Sequence, residues 1–248
     1  MITKKYKIAE HVIEVTSIHQ TVHDYCQEYE TDEAAEFAVA TTQEDIDLEK
    51  KKTDSEYAYE GKPLPHFSQA MIESTAIYRK IADGMIDYDT VVFHGSVIAV
   101  DGEAYLFTAK SGTGKSTHAA LWREVFGDRA VMVNDDKPMI KITDEGVTVY
   151  GTPYNGKHGL GSNIAVPLKA ICILVRGEEN KIEKITRQEA YPMLLQQVYR
   201  PADAVKMQKT LELMDKMGSV ISLYRLHCNM DIEAAKVSYE GMSGKVLE

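Results

Sequence analysis

Apolar positions are sparse and clustered in the first quarter of the chain. They occur mainly in two short segments, residues 6–15 and 34–40, and a run of charged residues fills positions 41–60. This pattern predicts short strands and one helix near residues 21–30, with the charged run as a solvated face or a turn. We therefore expect these elements to form an N-terminal elaboration.

A regular helical pattern begins after Pro63 and Pro65. Apolar residues recur every three or four positions from Phe67 to Met85, which predicts an amphipathic helix over residues 68–83. The prolines therefore mark a boundary. We predict an acidic N-terminal elaboration over residues 1–62, packed on a core domain that spans residues 63–248.

The centre of the chain alternates between strand and helix patterns. Two β-rich runs, residues 91–100 and 103–108, flank Asp101-Gly102, and this spacing predicts a hairpin. The second run leads into a glycine-rich segment, a helix ending before Gly127 and a further strand over 129–133. Additional strands are predicted at 139–142, 147–150, 169–175 and 181–185, and helices dominate the last quarter. The predicted fold class is therefore α/β with a mixed sheet.

Composition and charge argue against several classes of protein. The chain has 44% hydrophobic and 27% charged residues and no apolar run of about 18 residues, so we expect neither a membrane segment nor a membrane partner. Its three scattered cysteines fit neither a disulfide framework nor a four-ligand zinc site, which indicates a cytoplasmic protein. The net charge of −10 argues against binding along a nucleic-acid backbone. Homo-oligomer formation stays open.

The segment Ser111-Gly112-Thr113-Gly114-Lys115-Ser116-Thr117 predicts a phosphate-binding loop. Glycines let successive backbone N–H groups point at a polyphosphate, and the following helix adds the positive end of its dipole. Lys115 would reach the β- and γ-phosphates, and the Ser116 hydroxyl would ligate magnesium. Ala109 occupies the position of the first glycine of the G-x-x-x-x-G-K-[ST] pattern. The alternative is a glycine-rich turn with an exposed lysine.

Paired carboxylates follow the next predicted strand. Asp135 and Asp136 come about 20 residues after Lys115. In a β-α-β unit the loop and this strand end would emerge at the same edge of the sheet. One aspartate could hold magnesium and the other could accept a proton from an attacking hydroxyl, although an exposed turn stays open.

The third candidate region is the loop over residues 151–161, which contains four glycines. Such loops often close over a substrate, and Lys157 and His158 could steady charge on a transferring phosphoryl group. A long connection with a solvent-exposed lysine is the equal alternative. His94 lies within a predicted strand, where a histidine is usually a core or edge residue. Arg200 and Arg225 fit phosphate clamps or structural pairs equally well.

Together these motifs resemble the core of HPr kinase/phosphorylase, a fold shared with the ATP-type phosphoenolpyruvate carboxykinases. The resemblance is carried by His94-Gly-Ser, the glycine-rich segment, Val133-Asn-Asp-Asp136 and His158-Gly-Leu-Gly161, and it covers about residues 88–175. The chain is similar to the HPr-kinase-related proteins of bacteria. The glutamate and arginine of the family's Glu-x-Arg-Gly-Leu-Gly signature are replaced by Gly156 and His158.

The resemblance implies ATP and Mg²⁺ as cofactors and assigns roles to individual residues. Lys115 would bind phosphate, Ser116 and Asp136 would hold the metal, and His94 would be the active-site histidine. In the leading assignment Asp135 would act as the base, although an exchange of the roles of Asp135 and Asp136 stays open. Because the signature differs, we expect a small hydroxyl compound such as serine, or a peptide Ser or Thr, rather than HPr protein as acceptor.

The leading hypothesis is a kinase that transfers the γ-phosphoryl group of ATP to a hydroxyl acceptor. The alternative is a nucleotide-binding switch or accessory ATPase that acts through a protein partner, with the acidic N-terminal stretch as its docking surface. No segment indicates a preference for ATP over GTP.

Overall fold

A computed structural model describes residues 1–59, 61, 63–64, 66–156 and 158–247. The chain divides into two compact units, Met1–Met85 and Ile86–Glu248. The sequence placed a boundary at residue 62, whereas the units divide after the helix that ends at Met85. Among the described residues, no helix is both long and apolar enough to span a membrane.

The N-terminal unit is a small three-stranded sheet with helices. Its elements are β1 (Ile2–Ile8), β2 (His11–Ser17), α1 (Gln20–Tyr25), β3 (Phe37–Ala40), α2 (Gln43–Tyr59) and α3 (Gln69–Met85). Strands β1 and β2 are antiparallel, and β3 lies parallel to β2. The charged run predicted as a solvated face or a turn is helix α2, which buries only Ile46 and Glu49.

Glu73 ties helix α3 to the ends of two strands of this unit. Its carboxylate is fully buried and accepts hydrogen bonds from the backbone N–H of Ile18 at 2.6 Å and of His19 at 2.8 Å. The hydroxyl of Thr41 donates a third bond at 2.6 Å. Burial raises the pKa of Glu73, but these donors outweigh that effect and hold its pKa below the ordinary value.

The second unit is an α/β structure built on a mixed sheet, as predicted. Within the described residues the sheet has nine strands, and four helices accompany them. The elements are β4 (Thr90–Val92), β5 (Ser96–Val100), β6 (Glu103–Thr108), α4 (Lys115–Phe126), β7 (Ala130–Asn134), β8 (Met139–Ile142), β9 (Val147–Tyr150), β10 (Ala165–Arg176), β11 (Lys181–Lys184), α5 (Arg187–Gln197), α6 (Ala204–Val220), β12 (Ser222–Cys228) and α7 (Glu233–Ser243).

The sheet topology brings several strand ends to one edge. Strands β6, β10 and β12 are adjacent and parallel. On the other side of β6, β5 runs antiparallel to both β6 and β7. The carboxyl ends of β6, β7, β10 and β12 therefore lie at one edge, together with the start of β5. The predicted β-α-β unit is present as β6-α4-β7, but β5 lies between its two strands.

Both faces of the central strands are buried. Alternate residues of β5, β6 and β10 face two separate apolar clusters, one of which includes residues of α5 and α6 and the other residues of α4 and α7. Residues on both faces are apolar because helices cover both sides of the sheet. The Asp101-Gly102 hairpin is confirmed, and both turn residues have positive φ.

One local prediction was wrong, and one predicted strand is longer than expected. The apolar run 91–100 is not one strand: it breaks after β4, and β5 starts at Ser96 in another part of the sheet. His94 therefore lies between strands, where Gly95 packs so closely that an added Cβ would meet the Phe107 carbonyl oxygen at 2.9 Å. The strand predicted at 169–175 is longer, because β10 pairs first with β9 and then with β12.

Candidate active site

The glycine loop, residues 109–114, connects β6 to α4 at the shared edge of the sheet. Gly112 and Gly114 have φ values of 77° and 121°, which L side chains rarely adopt. Ala109 is buried and does not have a positive φ, so this position does not require the glycine of the usual pattern. An added Cβ on Gly112 would meet no atom within 4 Å, so the backbone of the loop borders open space.

Helix α4 is held in place behind the loop by a buried serine. Ser238 of α7 accepts hydrogen bonds from Trp122 Nε1 at 2.8 Å and His118 Nε2 at 3.0 Å, and donates to the Ala235 carbonyl. Burial lowers the pKa of His118 to about 4, so this histidine is neutral. The N-terminus of α4, with Lys115, Ser116 and Thr117 in its first turn, is therefore fixed by contacts in its second and third turns.

Asn134, the last residue of β7, organises the segment that follows it. Its fully buried side chain accepts from the backbone N–H of Asp136 at 2.9 Å and of Lys137 at 2.7 Å. Its amide nitrogen donates to the carbonyl and hydroxyl oxygens of Thr152, at 3.2 and 3.0 Å. The two aspartates therefore occupy a turn that is tied to the 151–161 loop.

Asp135 is buried beside the start of β5. Only 6% of the residue is exposed, and the Ser96 hydroxyl donates a short hydrogen bond to its carboxylate Oδ1. Its backbone N–H donates to the Leu160 carbonyl at 3.0 Å. Asp135 is thus fixed by contacts to β5 and to the 151–161 loop.

Asp136 is the more accessible of the two carboxylates. Its Oδ1 lies 3.3 Å from His94 Nε2 and 3.2 Å from Lys137 Nζ. Burial raises the pKa of Asp136, but the His94 hydrogen bond and the Lys137 charge outweigh that effect, so its pKa lies below the usual range. Burial lowers the pKa of His94 despite the opposing effect of Asp136, so a neutral imidazole faces an ionised carboxylate.

Lys115 belongs to the same electrostatic cluster. Burial lowers its pKa, while the negative charges of Asp136 and Asp135 oppose that shift. Its positive charge in turn lowers the pKa of His94. The structure therefore brings together the predicted residues Lys115, Asp135, Asp136 and His94, which are separated by up to 42 positions in the chain.

The 151–161 loop folds onto the end of β7. An added Cβ on Gly156 would lie 3.0 Å from the Asp136 Cβ, and one on Gly151 would meet the Ser162 carbonyl oxygen. The close approach to Asp136 needs a residue without a side chain at Gly156, whose φ is 76°. Lys157 lies outside the described residues, and His158 is exposed.

The donor set at this edge fits a magnesium ion bound together with phosphate. In the described part of the chain, no three His, Cys, Asp or Glu side chains converge as a metal cluster. Mg²⁺ does not require such a cluster, because it commonly uses one or two carboxylates with substrate phosphates and water. The ionised Asp136 and the exposed Ser116 hydroxyl, both predicted as ligands, provide oxygen donors of this kind.

Sequence reasoning missed several polar residues of this site, although their neighbours were identified. Ser96, Asn134, Lys137 and Thr152 contact the aspartates or the turn that holds them. Each lies within or next to a quoted motif, so adjacency was the available signal. Arg225 is not part of this cluster: it pairs with Glu183 at 2.9 Å, in agreement with the structural alternative.

Comparison with models of known families shows to which family the chain belongs. Residues 64–230 match the family model described as SynChlorMet cassette protein ScmC. The chain belongs to the ScmC family. The matched region contains the glycine loop, the paired aspartates and the 151–161 loop.

Comparisons beyond the ScmC family are distant. No curated protein sequence matches this ScmC-family chain. Among solved structures, it is similar to the Hpr(Ser) kinase/phosphatase from Coxiella burnetii, at 10% sequence identity and a TM-score of 0.33. The similarity covers 62% of this chain and 97% of that chain. A likeness at this level is not evidence for a shared activity.

Proposed function

We propose that this protein is a kinase that uses ATP and Mg²⁺ and transfers the γ-phosphoryl group to a hydroxyl acceptor. The acceptor is a small molecule such as serine, or a Ser or Thr side chain of a peptide. The observation that supports the proposal is the convergence of the glycine loop, Lys115 and the paired aspartates at one edge of the sheet. Phosphoryl transfer needs positioning and charge stabilisation more than covalent chemistry, and this arrangement supplies both.

The glycine loop and Lys115 would hold the triphosphate. Backbone N–H groups of the loop and the N-terminus of α4 attract anionic phosphate. Lys115, whose ammonium group is partly withdrawn from water, would place its charge on the β- and γ-phosphates. Magnesium, held by Ser116 and Asp136 with the phosphates, would neutralise further charge.

The surroundings of the two aspartates favour different roles. Asp136 lies between His94 and Lys137, which stabilise its ionised form and suit a metal ligand better than a base. Asp135, in contact with Ser96, would accept the proton of the acceptor hydroxyl. The acceptor oxygen then bonds to the γ-phosphorus as the bond to the β–γ bridging oxygen breaks, and ADP leaves.

The test is transfer of labelled γ-phosphate from Mg-ATP to a panel of hydroxyl acceptors: serine, threonine, sugars, polyols and a serine peptide. We expect labelled product with one acceptor class. Asp135→Asn should keep ATP binding within about threefold but lower transfer by about 10²- to 10⁴-fold, the usual contribution of a general base. Undiminished transfer in Asp135→Asn would refute the assignment of the base.

Two further results bear on the proposal. Asp136→Asn should weaken magnesium binding, which is measured as a higher Mg²⁺ concentration at the half-maximal rate of transfer. Tight ATP binding without transfer to any acceptor would contradict the kinase and favour the nucleotide-dependent switch.

A further inference from the structure

A cavity of about 480 Å³ borders the glycine loop on the side away from the aspartates. Its lining includes Gly112, Gly114 and Thr117 from the loop and the start of α4. Among the described residues that line it, none is Asp135, Asp136 or His94. The cavity is therefore a separate space that shares one wall with the candidate active site.

The position of the cavity follows from the strand order. Its remaining walls come from Leu121 of α4 and from the carboxyl ends of β10 and β12, which are adjacent and parallel to β6. The aspartates lie on the other side of β6, beyond β5. A ligand whose phosphates lie on the glycine loop could thus extend one end toward Asp136 and the other into the cavity. Ligands of open α/β sheets commonly bind across the carboxyl ends of strands in this way.

The lining chemistry suits a largely apolar group attached to an anion. Leu121, Leu174 and Met230 supply apolar surface, and the volume lies within the range of about 300–1,000 Å³ of small-molecule sites. Arg176 lines the cavity and donates a hydrogen bond to the Gly112 carbonyl at 2.5 Å. Its positive charge therefore lies where the cavity meets the glycine loop.

Asn229 shapes the rim of the cavity. Its amide nitrogen donates to the Glu178 carbonyl and to Asp231, and its amide oxygen accepts from Asn180 and from the Asp231 N–H. These four bonds occupy both N–H donors of the amide nitrogen and both acceptor positions of the amide oxygen. Asn229 therefore fixes the segment after β12 rather than recognising a ligand.

We propose that this cavity holds the base and ribose of the nucleoside triphosphate whose phosphates lie on the glycine loop. The inference rests on the proposed function and adds the direction of the nucleotide. The triphosphate runs from Thr117 and Arg176 toward Asp136, so the γ-phosphate faces the aspartates. The acceptor hydroxyl, which must reach Asp135, enters from the opposite side and does not compete for the cavity.

The experiment compares Mg-ATP with magnesium tripolyphosphate, which has the phosphates but no nucleoside, by titration calorimetry. Leu121→Trp fills the cavity. Arg123→Trp is the matched control, because Arg123 is exposed on the same helix and does not line the cavity. We expect Leu121→Trp to weaken ATP binding at least tenfold and tripolyphosphate binding less than twofold, with neither changed by Arg123→Trp.

Cys228 provides a second readout in the unaltered protein. It lines the cavity and is partly accessible, whereas Cys26 and Cys172 are buried. We expect saturating Mg-ATP to slow alkylation of Cys228 by N-ethylmaleimide at least fivefold, and tripolyphosphate to slow it less than twofold.

The outcomes separate this inference from the proposed function. Equal ATP affinity in Leu121→Trp and the parent protein, with no protection of Cys228, would overturn the placement of the nucleoside even if Lys115→Ala abolished binding of both ligands. Absence of binding by both ligands in the parent protein would overturn the proposed function and this inference with it.

Discussion

The hydrogen bonds of Asn134 allow us to predict how much this residue contributes to the stability of the turn that holds the aspartates. Asn134→Ala removes the acceptor of the Asp136 and Lys137 N–H groups and the donor to Thr152. Each buried polar group left without a partner costs about 1–3 kcal/mol. Because the two N–H groups are only partly buried, we take the lower end of this range, about 1 kcal/mol, for each of them and for the Thr152 carbonyl oxygen, and expect a loss of about 3 kcal/mol in the free energy of unfolding.

Urea denaturation followed by circular dichroism measures this loss as a lower midpoint concentration. Hydrogen exchange at the Asp136 and Lys137 amides reports the local effect, and both amides should exchange at least tenfold faster. Thr152→Val is the matched partner variant, since it removes the hydroxyl and keeps the shape of the side chain. Because the residues are in contact, a double-mutant cycle should give a coupling of about 1 kcal/mol. A loss below about 0.5 kcal/mol, or simple additivity, would refute this account of the turn.

Three other changes test separate parts of the structure. Ser238→Ala should lower the free energy of unfolding by about 2 kcal/mol in thermal or urea denaturation, because the buried N–H groups of Trp122 and His118 lose their acceptor; an unchanged midpoint would contradict this. Gly156→Ala should reduce phosphoryl transfer at least tenfold through its contact with Asp136 and its positive φ, whereas Gly146→Ala, equally at positive φ but with open space around it, should leave transfer within twofold. The folded-state pKa of Glu73 is depressed, so its stabilising contribution is present above the ordinary glutamate pKa of about 4.3 and is lost as the pH falls below it. We expect the free energy of unfolding of Glu73→Gln to fall less steeply than that of the parent protein as the pH drops below this value. The same pH dependence in both proteins would contradict this role of Glu73.

The parts of the fold that the sequence predicted depend on local patterns. Asp101-Gly102 identifies its hairpin because both positions tolerate positive φ. The end of strand β7, directly before Asp135, could be placed from the apolar run that forms the strand. The capping box that Thr186 and Glu189 form at the start of α5 is likewise a local pattern. These features need only a few neighbouring residues to be recognised.

The remaining features depend on contacts between distant segments. In the run 91–100 the apolar residues are interrupted by His94-Gly95-Ser96, but the change of strand partner at this point follows from the pairing of β4 with β8 and of β5 with β6, which the pattern does not show. The link between Asn134 and Thr152 joins two loops, and the cavity is bounded by residues up to about 118 positions apart, from Gly112 to Met230. The candidate site residues could be named one by one from sequence motifs, whereas the contacts that support them depend on the order of the strands in the sheet.

The central claim is that the glycine loop binds the phosphates of a nucleoside triphosphate, and calorimetric titration with Mg-ATP tests it most directly. The comparison is between the parent protein, Lys115→Ala and Lys110→Ala, since Lys110 is an exposed lysine of the same loop. A charge-assisted contact contributes about 1.5–3 kcal/mol. We therefore expect Lys115→Ala to weaken ATP binding by about 10- to 100-fold and Lys110→Ala to change it less than threefold. Equal affinity in all three proteins, or no binding by the parent, would contradict the account.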